Sequence, residues 1–345
     1  MRQIAALIRQ SKTYIKKTGG FKGFALTLIL LYIIAAFALF PERYLNSVKN
    51  GLYLFSTCVL PALFPFFFLT KLLTAAGNVS FISNLFKKPC RKFFKMPPVF
   101  SYVFFMSALS GYPVGAKLSS ELLPDGDRTA NTRLAAICSK SGPVFILGTV
   151  GFSMLGGKGA GLLILCSHLL AVLTFALANA PFVKRAEPAA SDYVPQNASD
   201  NVLSESVYSS VISILMVGGF ITLFYTFIDM LASTFLFKLS GALFFDALSA
   251  LNLPADLFRG VFSGLMEMTR GCREIADSLV PFYLKVCCCA FTVTFGGACV
   301  MLQSFAFLSG KIRCGLFILY KLLQAALSFI ICLCLCGLFN ISSAL

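Results

Sequence analysis

The sequence predicts an all-α polytopic membrane protein made of two inverted repeats whose helices are discontinuous, that is, broken or re-entrant. Three observations predict it. Hydrophobic residues make up 58% of the chain and charged residues 12%, with a mean hydropathy of +0.83, whereas soluble domains run near ~45–50% and ~25%. Stretches 21–40, 161–182, 209–235 and 315–339 each approach or exceed the ~20 residues needed to cross a bilayer core. Finally, apolar sequence is interrupted by matching breaks at a fixed distance. Gly111-Tyr112-Pro113-Val114-Gly115-Ala116-Lys117 and Ser139-Lys140-Ser141-Gly142-Pro143 break the first half, and 264–271 and Thr294-Phe295-Gly296-Gly297 break the second. Gly111 lies 153 positions before Gly264, and Gly142 lies 154 before Gly296. Gly161-Leu162-Leu163-Ile164-Leu165 recurs as Gly315-Leu316-Phe317-Ile318-Leu319, again after 154. A duplicated unit with paired helix breaks is a transporter pattern.

Residues 1–40 read as a basic N-terminus followed by a first membrane helix. Arg2, Arg9, Lys12, Lys16, Lys17 and Lys22 precede the apolar run as in a signal peptide, but Pro41-Glu42-Arg43 offers no small-residue cleavage site and the run is long for a signal core. The helix is expected to be retained, with a cytoplasmic N-terminus. Residues 51–182 form the first repeat, 183–208 a polar, solvated linker and 209–345 the second repeat. Each repeat runs through a long apolar segment, a connection, a Gly-rich break, an amphipathic stretch, a second break and a closing helix. Segment 51–73 pairs with 209–231, and its Pro61 and Pro65 predict a kink. Six Lys and Arg fall between Lys71 and Lys95 while the matching 224–248 holds only Lys238, which puts the two loops on opposite sides of the membrane. Stretches 98–109 and 134–150 fit either half-helices or full spans.

Breaks inside membrane helices free backbone N–H and C=O groups that hydrocarbon cannot satisfy, so they persist only where they face protein or a watery cavity. A half-helix starting there aims about +0.5 of a charge at the cavity, which favours an anionic or hydrogen-bonding solute. Gly111, Tyr112, Ser139, Lys140, Ser141 and Gly142 are therefore candidate contacts; Lys140 either faces the solute or snorkels to a membrane surface. Arg270 matches Lys117 within a residue. The two either form a pseudosymmetric pair of cations for two carboxylates or, with Glu267 and Glu274 close by in sequence, belong to an interfacial ion-pair cluster. Thr292, Thr294 and Gln303 flank Gly296-Gly297 and either bond the solute or their own helix carbonyls. Asp229, in an apolar span, is a candidate for proton or cation coupling or a carboxylate at a watery helix end. His168, inside 161–182, reads as a hydrogen bond between helices in preference to a relay.

Other classes are disfavoured. The net charge of +15 is concentrated at the N-terminus and at Lys87, Lys88, Arg91, Lys92 and Lys95, beside apolar segments, where topogenic charge explains it and nucleic acid is not expected as a partner. The cysteines, among them Cys287-Cys288-Cys289 and Cys332, Cys334 and Cys336, sit in apolar runs without spaced pairs, so no metal, cofactor or disulfide framework is expected. Residues 151–158 imitate a phosphate loop, but Gly159 stands where a hydroxyl residue is required. No nucleophile, histidine and acid occur together, so the chain is not expected to be an enzyme.

Ser110-Gly111-Tyr112-Pro113-Val114-Gly115-Ala116-Lys117, Ser141-Gly142-Pro143 with Gly148, and Gly264-Leu265-Met266-Glu267 before Thr269-Arg270-Gly271 resemble the bacterial sporulation integral membrane proteins of the nucleoside-recognition, or Gate, domain superfamily. The resemblance covers about 50–310. It implies a protein of the outer forespore membrane that moves dipicolinic acid, a planar dicarboxylate, towards the developing spore. The expected partners are the small anionic solute and the lipid bilayer, with a second copy of the chain or other spore membrane proteins as further candidates. The wider superfamily implies an alternative, a nucleoside or metal-ion transporter of the same fold; a further alternative, from another class, is a non-transporting scaffold for spore assembly docking through the basic loop 87–95. With no GTPase domain in the sequence, an iron-gate role is not expected. The expected solute site comprises Gly111, Tyr112, Lys117, Ser139, Lys140, Ser141, Gly142, Glu267, Arg270, Thr294, Gly296 and Gly297.

Overall fold

In a computed structural model the described residues are 21–77, 79–95, 97, 99–123, 126–180, 201–234 and 255–339, and they contain helices and no strand. The basic residues Arg2 to Lys17, most of the linker and Lys238 lie outside them. The chain divides between Lys49 and Asn50. In the first unit, α1 (Phe21–Leu39) is an apolar helix of 19 residues. It is followed by the start of α2 (Pro41–Leu54), which opens on Pro41 with Glu42 in its first turn, both favourable at a helix N-terminus.

In the second unit, α2 runs through a π-helical stretch, Phe55–Val59, into α3 (Leu60–Ala75). Pro61 has no N–H to return to the preceding turn, so the predicted interruption takes the form of a widened turn in a continuous helix. Next come α4 (Val79–Phe93), α5 (Val99–Ser110), α6 (Val114–Leu122) and α7 (Arg128–Cys138). A second π-helical stretch, Phe145–Met154, and α8 (Lys158–Asn179) complete the first half. The second half holds α9 (Val202–Ala232), α10 (Ala255–Met266), α11 (Met268–Asp277), α12 (Phe282–Phe295), α13 (Gly297–Leu308) and α14 (Cys314–Leu338).

Five helical stretches are long and apolar enough to cross a membrane: Pro41–Ala75, Lys158–Asn179, Val202–Ala232, Phe282–Leu308 and Cys314–Leu338. The protein is thus a polytopic all-helical membrane protein. Three of these lie where sequence alone places spans, and two add to them. Pro41–Ala75 contains the apolar segment 51–73, for which the prolines predict a kink, and Phe282–Leu308 continues through the break at Gly296 with only one left-handed residue on each side of the junction, at φ 86° and 74°. By contrast α5, with 12 residues, reaches only about 18 Å at 1.5 Å per residue, well short of a ~30 Å core. Likewise α7 stops at Cys138 and the chain resumes helix at Pro143. Both stretches that sequence left open are therefore partial helices.

The element order recurs: α6 and α11 start 154 positions apart, as do α7 and α12. Contacts between the halves are reciprocal as well. Helix α14 packs on α7 and α12 packs on α8, while α13 packs on α6 and α11 packs on Phe145–Met154. Exchanging each element for its counterpart turns one member of each pair into the other, as a pseudo-two-fold relation between the halves requires.

Candidate functional site

The two breaks of each half touch each other. A side chain at Gly111 (φ 77°) would place its Cβ 2.6 Å from Gly142 N, and one at Gly297 would place it 2.9 Å from the Gly264 carbonyl. Only glycine allows both the left-handed backbone and this approach. The halves then join break to break. The Tyr112 hydroxyl donates to the Thr294 carbonyl at 3.2 Å and lies 3.3 Å from where a Gly296 Cβ would stand.

His168, fully buried in α8, bridges the same place. Its Nε2 accepts from the Ser141 N–H at 3.2 Å, and its Nδ1 lies 2.9 Å from Thr294 Oγ1. Because Nε2 is the acceptor, the proton of a neutral ring sits on Nδ1 and is donated to the threonine. Helix α14 contributes Lys321, whose Nζ donates to the Ser139 carbonyl at 2.8 Å and to Gln324 Oε1 at 3.1 Å, and lies 5.3 Å from the centroid of the Tyr112 ring.

Between the breaks is a narrow cavity that offers a water-sized occupant about 20 Å³ of free volume, room for roughly one water. Tyr112, Ser141 and Gly142 line it from the first half, and Glu267, Thr269 and Gln303 from the second; the remainder is apolar. Glu267 is only 1% exposed and caps α11, its carboxylate accepting from Thr269 N at 3.0 Å and Arg270 N at 2.7 Å. The cap explains why the chain breaks there: two of the orphan amides of a new helix are satisfied by the side chain that precedes it. Gln303 donates to Cys299 Sγ at 3.3 Å, and its Oε1 is buried without a partner.

Of the residues that sequence nominates, Tyr112, Ser141, Gly142 and Glu267 line this cavity, and Gly111, Ser139, Thr294, Gly296 and Gly297 build the backbone junction around it. The cations lie elsewhere. Lys140 is fully buried, with its Nζ 3.0 Å from the centre of the Phe104 ring and no hydrogen-bond partner. Lys117 donates to Ser213 Oγ at 3.3 Å beside a second small cavity, shared with Lys71, Thr70 and Ser210. Arg270 is held by Asp229 at 2.7 Å, Glu274 at 2.8 Å and the Tyr225 carbonyl at 2.9 Å, and stacks 4.2 Å from the Tyr225 ring centroid. Asp229, the coupling candidate, is thus half of an ion pair.

Two buried cations escaped notice in the sequence. Arg133 donates through Nη2 to the Phe94 and Ala176 carbonyls, and its Nε and Nη1 have no partner. Lys321 could have been found, since it is an ionisable group inside an apolar span. Among the described residues none of Arg133, Lys140 and Lys321 has an acidic partner. The one group of described His, Cys and acidic residues with metal-holding geometry is Cys287, Cys332 and Cys336, whose sulfurs lie within 4.8 Å of one another. It is built from buried positions on α12 and α14.

A multi-spanning helical protein with broken segments meeting at an interior, largely apolar cavity that carries a few polar groups belongs to the integral membrane class in which irregular backbone is sheltered by protein. The chain is 30% identical over 317 residues to the sporulation integral membrane protein YlbJ of Bacillus subtilis (strain 168), covering 85% of this chain and 78% of that protein. It belongs to that family of sporulation integral membrane proteins. No protein-family model matches the chain, and no solved structure matches it.

Proposed function

We propose that the protein is a transporter or facilitator of a small anionic solute, dipicolinic acid, across the outer forespore membrane, with its repeats inverted about an axis in the membrane plane. The observation that carries this reading is the meeting of the breaks of both halves at one small cavity, with Lys140 and Lys321, which have no acidic partner among the described residues, buried beside the junction rather than in the cavity lining. Lys321 holds the Ser139 carbonyl and Lys140 follows in the chain. Buried charge without a partner costs several kcal/mol in a medium of low polarity, a cost that an anionic solute would relieve. A cavity of one water's size is the closed form of such a pathway, and the glycine junctions are where the chain can turn to widen it.

The wild-type protein in liposomes is expected to take up dipicolinate, and Lys140→Met together with Lys321→Met to reduce uptake more than tenfold. Unchanged uptake in the double variant overturns the anion reading. A second reading, a nucleoside carrier, is favoured by one observation: apart from Glu267, the polar groups lining the cavity are neutral hydrogen-bonding ones. Competition by nucleosides and none by dicarboxylates would establish it.

A further inference from the structure

We infer that Glu267 is the proton-coupling group, taking up a proton whenever the cavity accepts an anion, so that the protein is a proton–anion symporter. This rests on the anion reading above and adds to it the second ion that moves.

Glu267 is the carboxylate that fronts the cavity. It is enclosed by protein, 1% exposed, at the point where the segments of both halves meet. The charged and titratable groups facing it are few. Arg270, one turn along α11, directs its guanidinium away to Asp229 and Glu274, so its charge is already balanced by two carboxylates. Cys299 comes from α13 and Tyr112 from the first-half break, and both line the same cavity as neutral groups. What stabilises the carboxylate is the start of α11, through the Thr269 and Arg270 amides.

A carboxylate-bearing solute entering this space would meet a fixed negative charge with little water to screen it. Two like charges sharing a site are not both retained, and one takes a proton. Because linkage is reciprocal, an anion that binds better when Glu267 is protonated raises the proton affinity of Glu267 by the same factor. The same cavity holds an acceptor that lacks a donor. Gln303 Oε1 is a buried acceptor without a donor, lining the same space, and a protonated carboxyl is an O–H donor. No bond to carbon is made or broken: the proton comes from the aqueous side from which the solute enters and leaves on the other side with it. Asp229, the carboxylate that the sequence nominates for coupling, is committed to Arg270 at 2.7 Å.

The test uses the full chain in liposomes loaded with a pH-reporting dye and supplied with external dipicolinate. Wild type should acidify the lumen as dipicolinate enters, by one proton per solute beyond a protein-free control. An imposed inward proton gradient should drive accumulation, by about tenfold per pH unit at equilibrium. In Glu267→Gln, which keeps a capping oxygen for α11, whatever dipicolinate still crosses should move without protons, and gradient-driven accumulation should disappear. Dipicolinate uptake by wild type without proton movement overturns the inference and leaves the anion reading standing, and that measurement needs no variant to fold. Coupling that survives in Glu267→Gln also overturns it. If wild type moves no dipicolinate under any gradient, the anion reading fails and the inference fails with it.

Discussion

The Tyr112 hydroxyl and the Thr294 carbonyl, 182 residues apart in sequence, are joined at 3.2 Å across the line where the two halves meet. The carbonyl belongs to the last turn of α12, past the Thr292 carbonyl that still accepts from the Gly296 N–H, where the helix stops because Gly296 turns left-handed. A residue of one break thus completes the backbone bonding of the other. Tyr112→Phe removes the donor and keeps the ring. The expected loss is ~1 kcal/mol, with a cost towards ~3 if the carbonyl is left dry, read as a lowered unfolding midpoint of the detergent-solubilised protein. An unchanged midpoint would mean that the bond contributes nothing to the junction.

His168 fastens the same junction from α8. Its ring serves the Ser141 amide with one nitrogen and the Thr294 hydroxyl with the other. His168→Leu should be more costly than Tyr112→Phe, since it strands both a buried backbone donor and a buried hydroxyl at ~1–3 kcal/mol apiece. His168→Gln should recover part of that. Nitrogen-resolved NMR of labelled histidine should find the proton on Nδ1; a proton found on Nε2 would contradict the assigned donor and acceptor roles.

How much of this could be read from the residues varies with the kind of feature. The breaks were legible because glycines at 111, 142, 264 and 296 recur with a fixed spacing, and hydrocarbon allows such interruptions only for a reason. The closing helices α8 and α14 were legible from unbroken apolar length. The direction of a side chain beyond a break was not. Glu267, Arg270 and Lys117 all follow or adjoin a break, yet Glu267 turns into the cavity to cap α11 while Arg270, three residues on, turns towards α9. That choice depends on the helix phase after the interruption, which is set by which neighbour offers a partner. Here Asp229 and the Tyr225 carbonyl supply it, 41 and 45 residues away in sequence.

The glycine junctions permit a graded test. Gly111→Ala meets both a φ of 77° and a Cβ position 2.6 Å from Gly142 N, where backbone cannot yield. Gly310→Ala shares the φ of 77° but has nothing within 4 Å. Gly159→Ala lies in α8 with open space and no left-handed φ. Thermal unfolding should rank them accordingly. Gly159→Ala is expected neutral to stabilising by up to ~1 kcal/mol, Gly310→Ala to cost ~1–2 kcal/mol of backbone strain, and Gly111→Ala to cost more than either. Equal losses at positions 111 and 310 would show that the break-to-break contact is looser than the geometry describes.

Arg270 allows an ion-pair role and a solute role to be separated by measurement. Its three donor groups are taken by Asp229, Glu274 and the Tyr225 carbonyl, and its side chain is 5% exposed against 22% for Asp229. If the guanidinium mainly ties α11 to α9, then Arg270→Met and Asp229→Leu should each destabilise the protein, the first because it strands the Asp229 and Glu274 carboxylates and the second because it removes the tie to α9 while Glu274 still holds Arg270. The double variant should then lose less than the sum. The coupling expected for a contacting, partly buried pair is ~1–3 kcal/mol, measured from unfolding midpoints of the four proteins. A role in solute binding would give a different pattern: Arg270→Met would lower dipicolinate uptake without coupling to Asp229 in stability. Since removing both partners of a pair can be close to neutral, and Glu274 keeps Ser263 and Arg259 as neighbours, the double variant should also insert, purify and retain uptake. Loss of uptake in a double variant of near wild-type stability would return Arg270 to the solute path.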